Sequence, residues 1–384
     1  MILVLEQWLA DYRVPVYRRL QERLGEDVVV YHAAPRPGEG LRIVVPGQDT
    51  GFHHEAVPTW WLPGGQLVLA DFRRALRHLR EARAVIVRPL IRDLGFFPTA
   101  WWVKRRGVPL IGWSHGFSHR RAFAPDRRLR DRGHLAIVRY VDAYICYTDD
   151  ARRTLAEHVE PERLFVARND PGTEGLIAVR KSLEAEGRAA VRRGLGLRLE
   201  RYVSFIGRLQ ERKRPRELLA AYAHIVDTHG ADVGLLFIGD GPLRPELERM
   251  ASELELEHVH FVGARYGEEA ARYLFASDVM AMPGWLGLSV PHAFALGVPV
   301  VSRYVGDGLV GHAPEAAYIR PGENGEFARA DADAATFAEA ILRVLENRAF
   351  YSRAAAAHAE NVPGLDGMVD GFVAAIDYVT APGE

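Results

Sequence analysis

Residues 283–302, PGWLGLSVPHAFALGVPVVS, constrain this chain more than any other stretch. They follow Val279-Met280-Ala281-Met282, an apolar run short enough for a buried strand. Pro283-Gly284 breaks that strand, residues 288–296 are mostly apolar and helix-compatible, and Gly297 supplies a left-handed stop. Val298-Pro299-Val300-Val301 then opens the next strand. A strand, a glycine-rich loop, a short helix and a second strand in this order imply a parallel sheet, with the helix N-terminus at its carboxyl edge. There the backbone N–H groups of Gly287, Leu288 and Ser289 would make an anion site without a charged side chain. Pro291 fits the first helical turn, where a missing N–H costs little. A buried helix that only packs on a sheet would share this pattern, so other loops have to decide.

Apolar runs and amphipathic segments alternate along the whole chain. Strands are expected at residues 2–5, 27–31, 41–45, 84–87, 110–113, 143–147 and 164–167. Helices are expected at 14–24, 71–82, 98–106 and 150–158, with a surface loop over 46–65 and a mobile basic loop over 120–132. Residues 170–200 hold one polar helix, 178–193, and read as a connection between domains. The alternation then restarts, with strands at 203–206, 233–238 and 258–262 before the opening stretch, and a strand and turn at 315–324. The fold class is α/β, with two doubly wound Rossmann-like domains. Their bounds are 1–175 and 195–345, and helices of 346–384 would cross back to the first.

With 384 residues, two or three domains are expected. No apolar run reaches the roughly 18–20 residues that span a bilayer. The N-terminus lacks a basic start and a cleavage site, so it reads as a first strand and helix. Cys146 is the only cysteine, which excludes internal disulfides and a cysteine zinc site and fits a reducing, cytoplasmic setting. Net charge is −1, yet residues 1–170 carry 27 Lys/Arg against 20 Asp/Glu. A basic first half is compatible with an anionic acceptor or peripheral contact at the inner membrane face. It is equally compatible with ordinary charge drift. No nucleic-acid partner is expected.

Three strand-ending loops of the second domain converge if its sheet is parallel: Gly207-Arg208-Leu209, Gly239-Asp240-Gly241 and residues 284–289. Arg208 and Lys213 share one loop, and two cations beside a helix N-terminus can hold a diphosphate as fork and point charge. A nicotinamide-binding alternative would need G-x-G-x-x-G after the first strand, where the chain reads EQWLADYR.

Five segments, FIGRLQERKR, LLFIGDGPLRPELE, VHFVGARY, the opening stretch and PEAAYIRPGENG, resemble the retaining glycosyltransferases of family 4, in order and spacing. With the 143–169 strand–helix–strand, the resemblance covers residues 140–345. It implies the GT-B fold, two Rossmann-like domains facing across a cleft. It implies transfer of a sugar from a nucleotide-diphosphate donor to a hydroxyl of a glycan, lipid-linked saccharide or natural product, with configuration retained. Arg208 and Lys213 would neutralise the diphosphate, and the N–H groups of Gly287, Leu288 and Ser289 would bind phosphate. Those of Trp285 and Leu286 would face the donor sugar. Residues 262–265, including Ala264, would frame the base, with Gly207, Gly239 and Gly241 shaping the donor loops. His115 stands where the family places a histidine near the donor sugar.

The family's two glutamates, eight positions apart, fall here on Gly284 and His292. Gly284 brings no carboxylate, so it can act only through its backbone. His292 offers a single hydrogen bond to a ribose, which makes a dTDP-linked donor worth testing. No carboxylate pair stands out as acid and base, and no Asp-x-Asp is evident, so neither metal nor other cofactor is expected. Acceptor contacts are expected at Tyr12-Arg13-Val14-Pro15, around Trp101 and Trp102, and in the 120–132 loop. Loss of both glutamates also admits a catalytically inactive GT-B partner or regulatory protein.

Overall fold

The computed structural model describes residues 1–36, 43–45, 47–117, 123–170, 172–304 and 311–381. The chain divides into two compact units, one made of the segments up to Asn169 and from Gly364 onward, the other of Asp170–Pro363.

In the first unit the strands are β1 (Ile2–Glu6), β2 (Val28–His32), β3 (His53–Ala56), β4 (Thr59–Trp61), β5 (Val68–Ala70), β6 (Ala84–Val87), β7 (Leu110–Ser114), β8 (Ala143–Cys146) and β9 (Leu164–Val166). Among the described residues the main sheet runs β3-β2-β1-β6-β7-β8-β9, parallel throughout. Its central strands are apolar on both faces because both are covered. Leu3, Leu5, Val85 and Val87 enter one core, while Ile2, Val4, Ala84 and Ile86 enter the other. That second core is closed by helix Leu365–Thr380, whose Phe372 meets Trp113 edge-on at 4.6 Å between ring centroids. A Cβ on Gly371 would stand 2.2 Å from the Val166 carbonyl oxygen, so only glycine lets this helix lie so close to β9.

Arg13 is 1% exposed. Its guanidinium stacks 4.0 Å from the Trp113 ring centroid, donates to Tyr147 Oη at 2.8 Å and lies 3.5 Å from Glu6 Oε1. It therefore belongs to the unit's interior, which corrects the expectation that it faces an acceptor. Trp101 is exposed.

The second unit holds β10 (Arg201–Ile206), β11 (Val233–Ile238), β12 (Val259–Gly263), β13 (Val279–Met282), β14 (Val300–Arg303) and β15 (Gly325–Ala328). Their order is β12-β11-β10-β13-β14-β15, again all parallel. From β10 the chain winds outward through β11 and β12, then returns to β13 and winds the other way. The reversal opens a crevice at the carboxyl ends of β10 and β13, where ligands bind in sheets of this class.

Several local expectations change. The loop expected over 46–65 contains β3 and β4, an edge strand and a hairpin strand whose exposure hides the apolar signal. Segment 71–82 is a 3₁₀ helix, Phe72–Arg80, capped by Asp71 accepting from the Arg73 N–H. The single helix 178–193 is two, Thr173–Glu186 and Arg188–Gly194, divided at Gly187 with φ 84°. The basic loop gives way to helix Leu129–Tyr140, with residues 120–122 outside the described residues. So are 41 and 42 of the expected strand, of which Ile43 forms only an isolated bridge to Ala10. The strand at 315–324 is a 3₁₀ turn, Pro314–Tyr318, and pairing resumes in β15.

Candidate functional site

The second unit's site grows from glycines at strand ends. Gly207 ends β10 with φ 135° and its N–H donates to the Ile238 carbonyl at 2.9 Å. A Cβ on Gly239 would stand 2.0 Å from the Gly207 oxygen, and one on Gly241 would stand 2.4 Å from that of Leu209. These two glycines let neighbouring loops pack backbone to backbone, which is the role the geometry gives them. Gly239 bridges to Gly263, and Ala264 follows, exposed, at the end of β12. The expected donor loops therefore meet along one sheet edge.

Lys213 lies over Gly207, where a Cβ would stand 3.2 Å from its Nζ. The turn that brings it there, Glu211–Lys213, ends at Arg214 in the left-handed region, φ 54°. For a side chain other than glycine that conformation costs roughly 1 kcal/mol, and such strain concentrates at functional sites. Lys213 Nζ donates to the Trp285 carbonyl at 3.4 Å and lies 3.3 Å from Met282 Sδ. Among the described residues it has no carboxylate partner. Burial, with the Arg212 charge nearby, lowers its pKa to about 8. Arg208 is exposed on the same loop.

The 284–289 loop is clamped from two sides. The Trp285 N–H donates to the Arg212 carbonyl at 2.8 Å, and the Leu286 N–H to His312 Nδ1 at 3.2 Å. The N–H groups of Trp285 and Leu286 are thus spent inside the protein, which corrects the expectation that they face a donor sugar. Those of Gly287, Leu288 and Ser289 have no acceptor among the described residues. Ser289 Oγ is buried without a partner beside them. Helix Ser289–Ala295 follows, with His292 partly exposed on it.

His312 was not among the expected residues. It is fully buried, and its Nε2 stands 2.8 Å from the Arg303 carbonyl. Because Nδ1 accepts from Leu286, Nε2 must carry the proton, and burial holds the ring's pKa below the ordinary value. A neutral histidine therefore ties the loop to the end of β14. The only trace in the sequence is its place two residues before the quoted segment at 314–325.

Gly284 has a physical reason to be glycine. A Cβ there would stand 2.4 Å from the Arg212 oxygen and 2.6 Å from the Lys213 carbonyl carbon. A glutamate cannot occupy this position while the 211–214 turn stays in place. His115 follows β7 in the first unit, its ring 4.4 Å from that of Tyr147. Among the described residues no three His, Cys, Asp or Glu side chains gather as a metal cage would require.

Gly284→Glu should therefore lower stability by about 1–3 kcal/mol through overpacking. Gly287→Ala, whose Cβ would meet nothing nearer than 4.0 Å, should melt close to wild type. Thermal melts of the two variants check the contrast.

Comparison with known proteins matches the chain to a family. The family described as Glycosyl transferases group 1 matches residues 200–347, and Glycosyltransferase Family 4 matches residues 16–169. A "D-inositol 3-phosphate glycosyltransferase" of Corynebacterium jeikeium is 30% identical over 312 residues, 74% of this chain and 73% of that protein. One of Corynebacterium urealyticum is 28% identical over 323 residues, 74% and 72% of the two chains. Among solved structures, HepE of Anabaena in complex with UDP superposes with a TM-score of 0.72 at 17% identity, covering 98% of this chain and 99% of that one. That likeness carries the fold, which is GT-B. The chain belongs to the glycosyltransferases of family 4.

Proposed function

We propose that the protein transfers a hexose from a nucleotide-diphosphate donor to a hydroxyl with retention of anomeric configuration, without a metal ion. One observation supports this most. At the reversal of strand order in the second unit, a cation with no carboxylate partner sits beside three backbone N–H groups with no acceptor among the described residues. Such a place favours a group carrying several negative oxygens. In the reaction the bond from the anomeric carbon to the diphosphate oxygen breaks, and charge develops on the departing diphosphate. Lys213, Arg208 and the N–H groups of Gly287, Leu288 and Ser289 are proposed to stabilise that charge. Trp285 and Leu286 shape the loop through their backbone partners and take no direct part through their N–H groups. His292 is proposed to meet the ribose. His115 keeps, as a proposal, the catalytic role the resemblance gives it. The acceptor is proposed to be a glycan, lipid-linked saccharide or natural-product hydroxyl. The relatives' names add inositol phosphate to the acceptors worth assaying.

A panel of UDP, dTDP, GDP and ADP in thermal-shift experiments tests the donor site. A nucleotide at a hundredfold excess over its dissociation constant should stabilise by about 2.7 kcal/mol. Arg208→Ala and Lys213→Ala should each weaken that binding by on the order of 1.5–3 kcal/mol, as removal of a charged hydrogen-bond partner does. A shift with dTDP larger than with UDP supports the single-bond reading of His292. No shift with any nucleotide would favour an inactive GT-B protein.

Lys213 gives a pH signature. A bound diphosphate favours its charged form, so binding above pH 8 must take up a proton, and affinity should fall as pH rises through about 8. Calorimetry near pH 8.5 in buffers of different ionisation heat should read that uptake, and Lys213→Ala should abolish it. In the free protein the sign reverses. The folded pKa lies below the unfolded value of 10.5, so the unfolded chain binds more protons between about 8 and 10.5. This group's contribution to stability therefore rises with pH across that window.

A further inference from the structure

We propose that the first unit carries a docking surface for an anionic lipid bilayer, built from the β4–β5 hairpin and helix Phe96–Arg105. The proposal stands independently of the donor site.

Strand periodicity sets the outward face. β4 and β5 are antiparallel, with Trp60 opposite Leu69 and Trp61 opposite Val68. Val68 is buried, so Leu69 and Trp60 occupy the outward face. On the other side of β5 the chain at Arg92–Leu94 runs parallel to it. The Val68 N–H donates to the Arg92 carbonyl at 3.0 Å, and the Leu94 N–H donates to that of Val68 at 2.9 Å. Bridging Val68 to Asp93 puts Leu94 on the same face as Leu69. Trp60, Leu69 and Leu94 therefore share one face across the hairpin and the segment bridged to it.

That face continues into the helix. Within the helix Trp101 follows Phe97 by four residues on one stripe, and Leu94 lies three residues before Phe97 in the preceding turn. The opposite side of the helix, Phe96, Ala100 and Val103, is buried in the unit's core. These five outward side chains are each 39–51% exposed. Single exposed apolar side chains are ordinary, but several on one face mark an interaction surface.

Charge selects the occupant. At this face Arg92, Arg105 and Arg106 have no carboxylate partner among the described residues, whereas Arg73, Arg74, Arg83, Arg88 and Lys104 are each paired with one. Arginines also cover the aromatic rings, with Arg105 at 5.4 Å from Trp101, Arg106 at 5.1 Å from Trp102 and Arg92 at 5.9 Å from Trp61. A second copy of this face would bring two basic surfaces together. An acidic headgroup layer over acyl chains supplies the opposite charge and an apolar bed at the depth where tryptophan and arginine settle. Among the described residues no helix is long and apolar enough to cross a membrane, so the contact lies in the plane of the interface.

The test is co-sedimentation of the full chain with vesicles of phosphatidylcholine alone or with about 30% phosphatidylglycerol, a mole fraction that gives a strongly negative surface. The wild type should pellet with the acidic vesicles on the order of tenfold more tightly than with the neutral ones, and salt should release it. The double variants F97S/W101S and R105E/R106E should each lose on the order of tenfold while melting as wild type. Failure to pellet with acidic vesicles, or equal binding to neutral ones, would overturn the proposal. So would wild-type binding by the serine pair. A wild-type dimer that the serine pair converts to monomer would assign the face to a second copy instead.

Discussion

Close approach of bare backbone at Gly239, Gly241 and Gly284 is the constraint on which the second unit's site depends. At each, a single added carbon would stand 2.0–2.4 Å from a carbonyl oxygen of the neighbouring loop. Removing side chains from these contacts lets three strand-end loops share one small area at the reversal of the sheet. The contact at Gly284 has the widest effect. It seats the 211–214 turn against the 284–289 loop, gives the Trp285 N–H its acceptor in Arg212, and lays Lys213 over Gly207. Partial burial of Lys213 follows from that packing, and so does its lowered pKa. Its charge therefore stands ready for an anion that is not part of the protein.

Two cations in this chain show how surroundings decide use. Arg13 in the first unit is stacked on Trp113, bonded to Tyr147 and close to Glu6. Its charge is met within the protein, and its place is structural. Lys213 faces a carbonyl and a sulfur, neither of which neutralises it. An ammonium left so is costly, a cost that an anionic ligand would offset. His312 serves the same site without charge, since its one acceptor nitrogen and one donor nitrogen are both committed.

Central strands of both sheets were legible through runs of consecutive apolar residues, as in residues 2–5 and Val279–Met282, that only a sheet covered on both faces can bury. β3, reading HHEA, was not, since an exposed edge strand leaves no apolar period. The N–H groups at Gly287–Ser289 could be placed at a helix start from the strand–loop–helix order alone. Which N–H groups stay available could not, because the partners of Trp285 and Leu286 are residues 212 and 312, remote in sequence. The absence of a glutamate at 284 was visible as a departure. Its reason, a backbone contact across 71 residues, became visible only in three dimensions.

Residue-resolved hydrogen exchange across 284–289, with and without a saturating nucleoside diphosphate, tests this account most directly. It predicts that the Trp285 and Leu286 amides are slow in the free protein and unchanged by nucleotide. The Gly287, Leu288 and Ser289 amides should be fast when free and become protected when nucleotide binds. Fast exchange at 285 and 286 that nucleotide slows, with no change at 287–289, would contradict it.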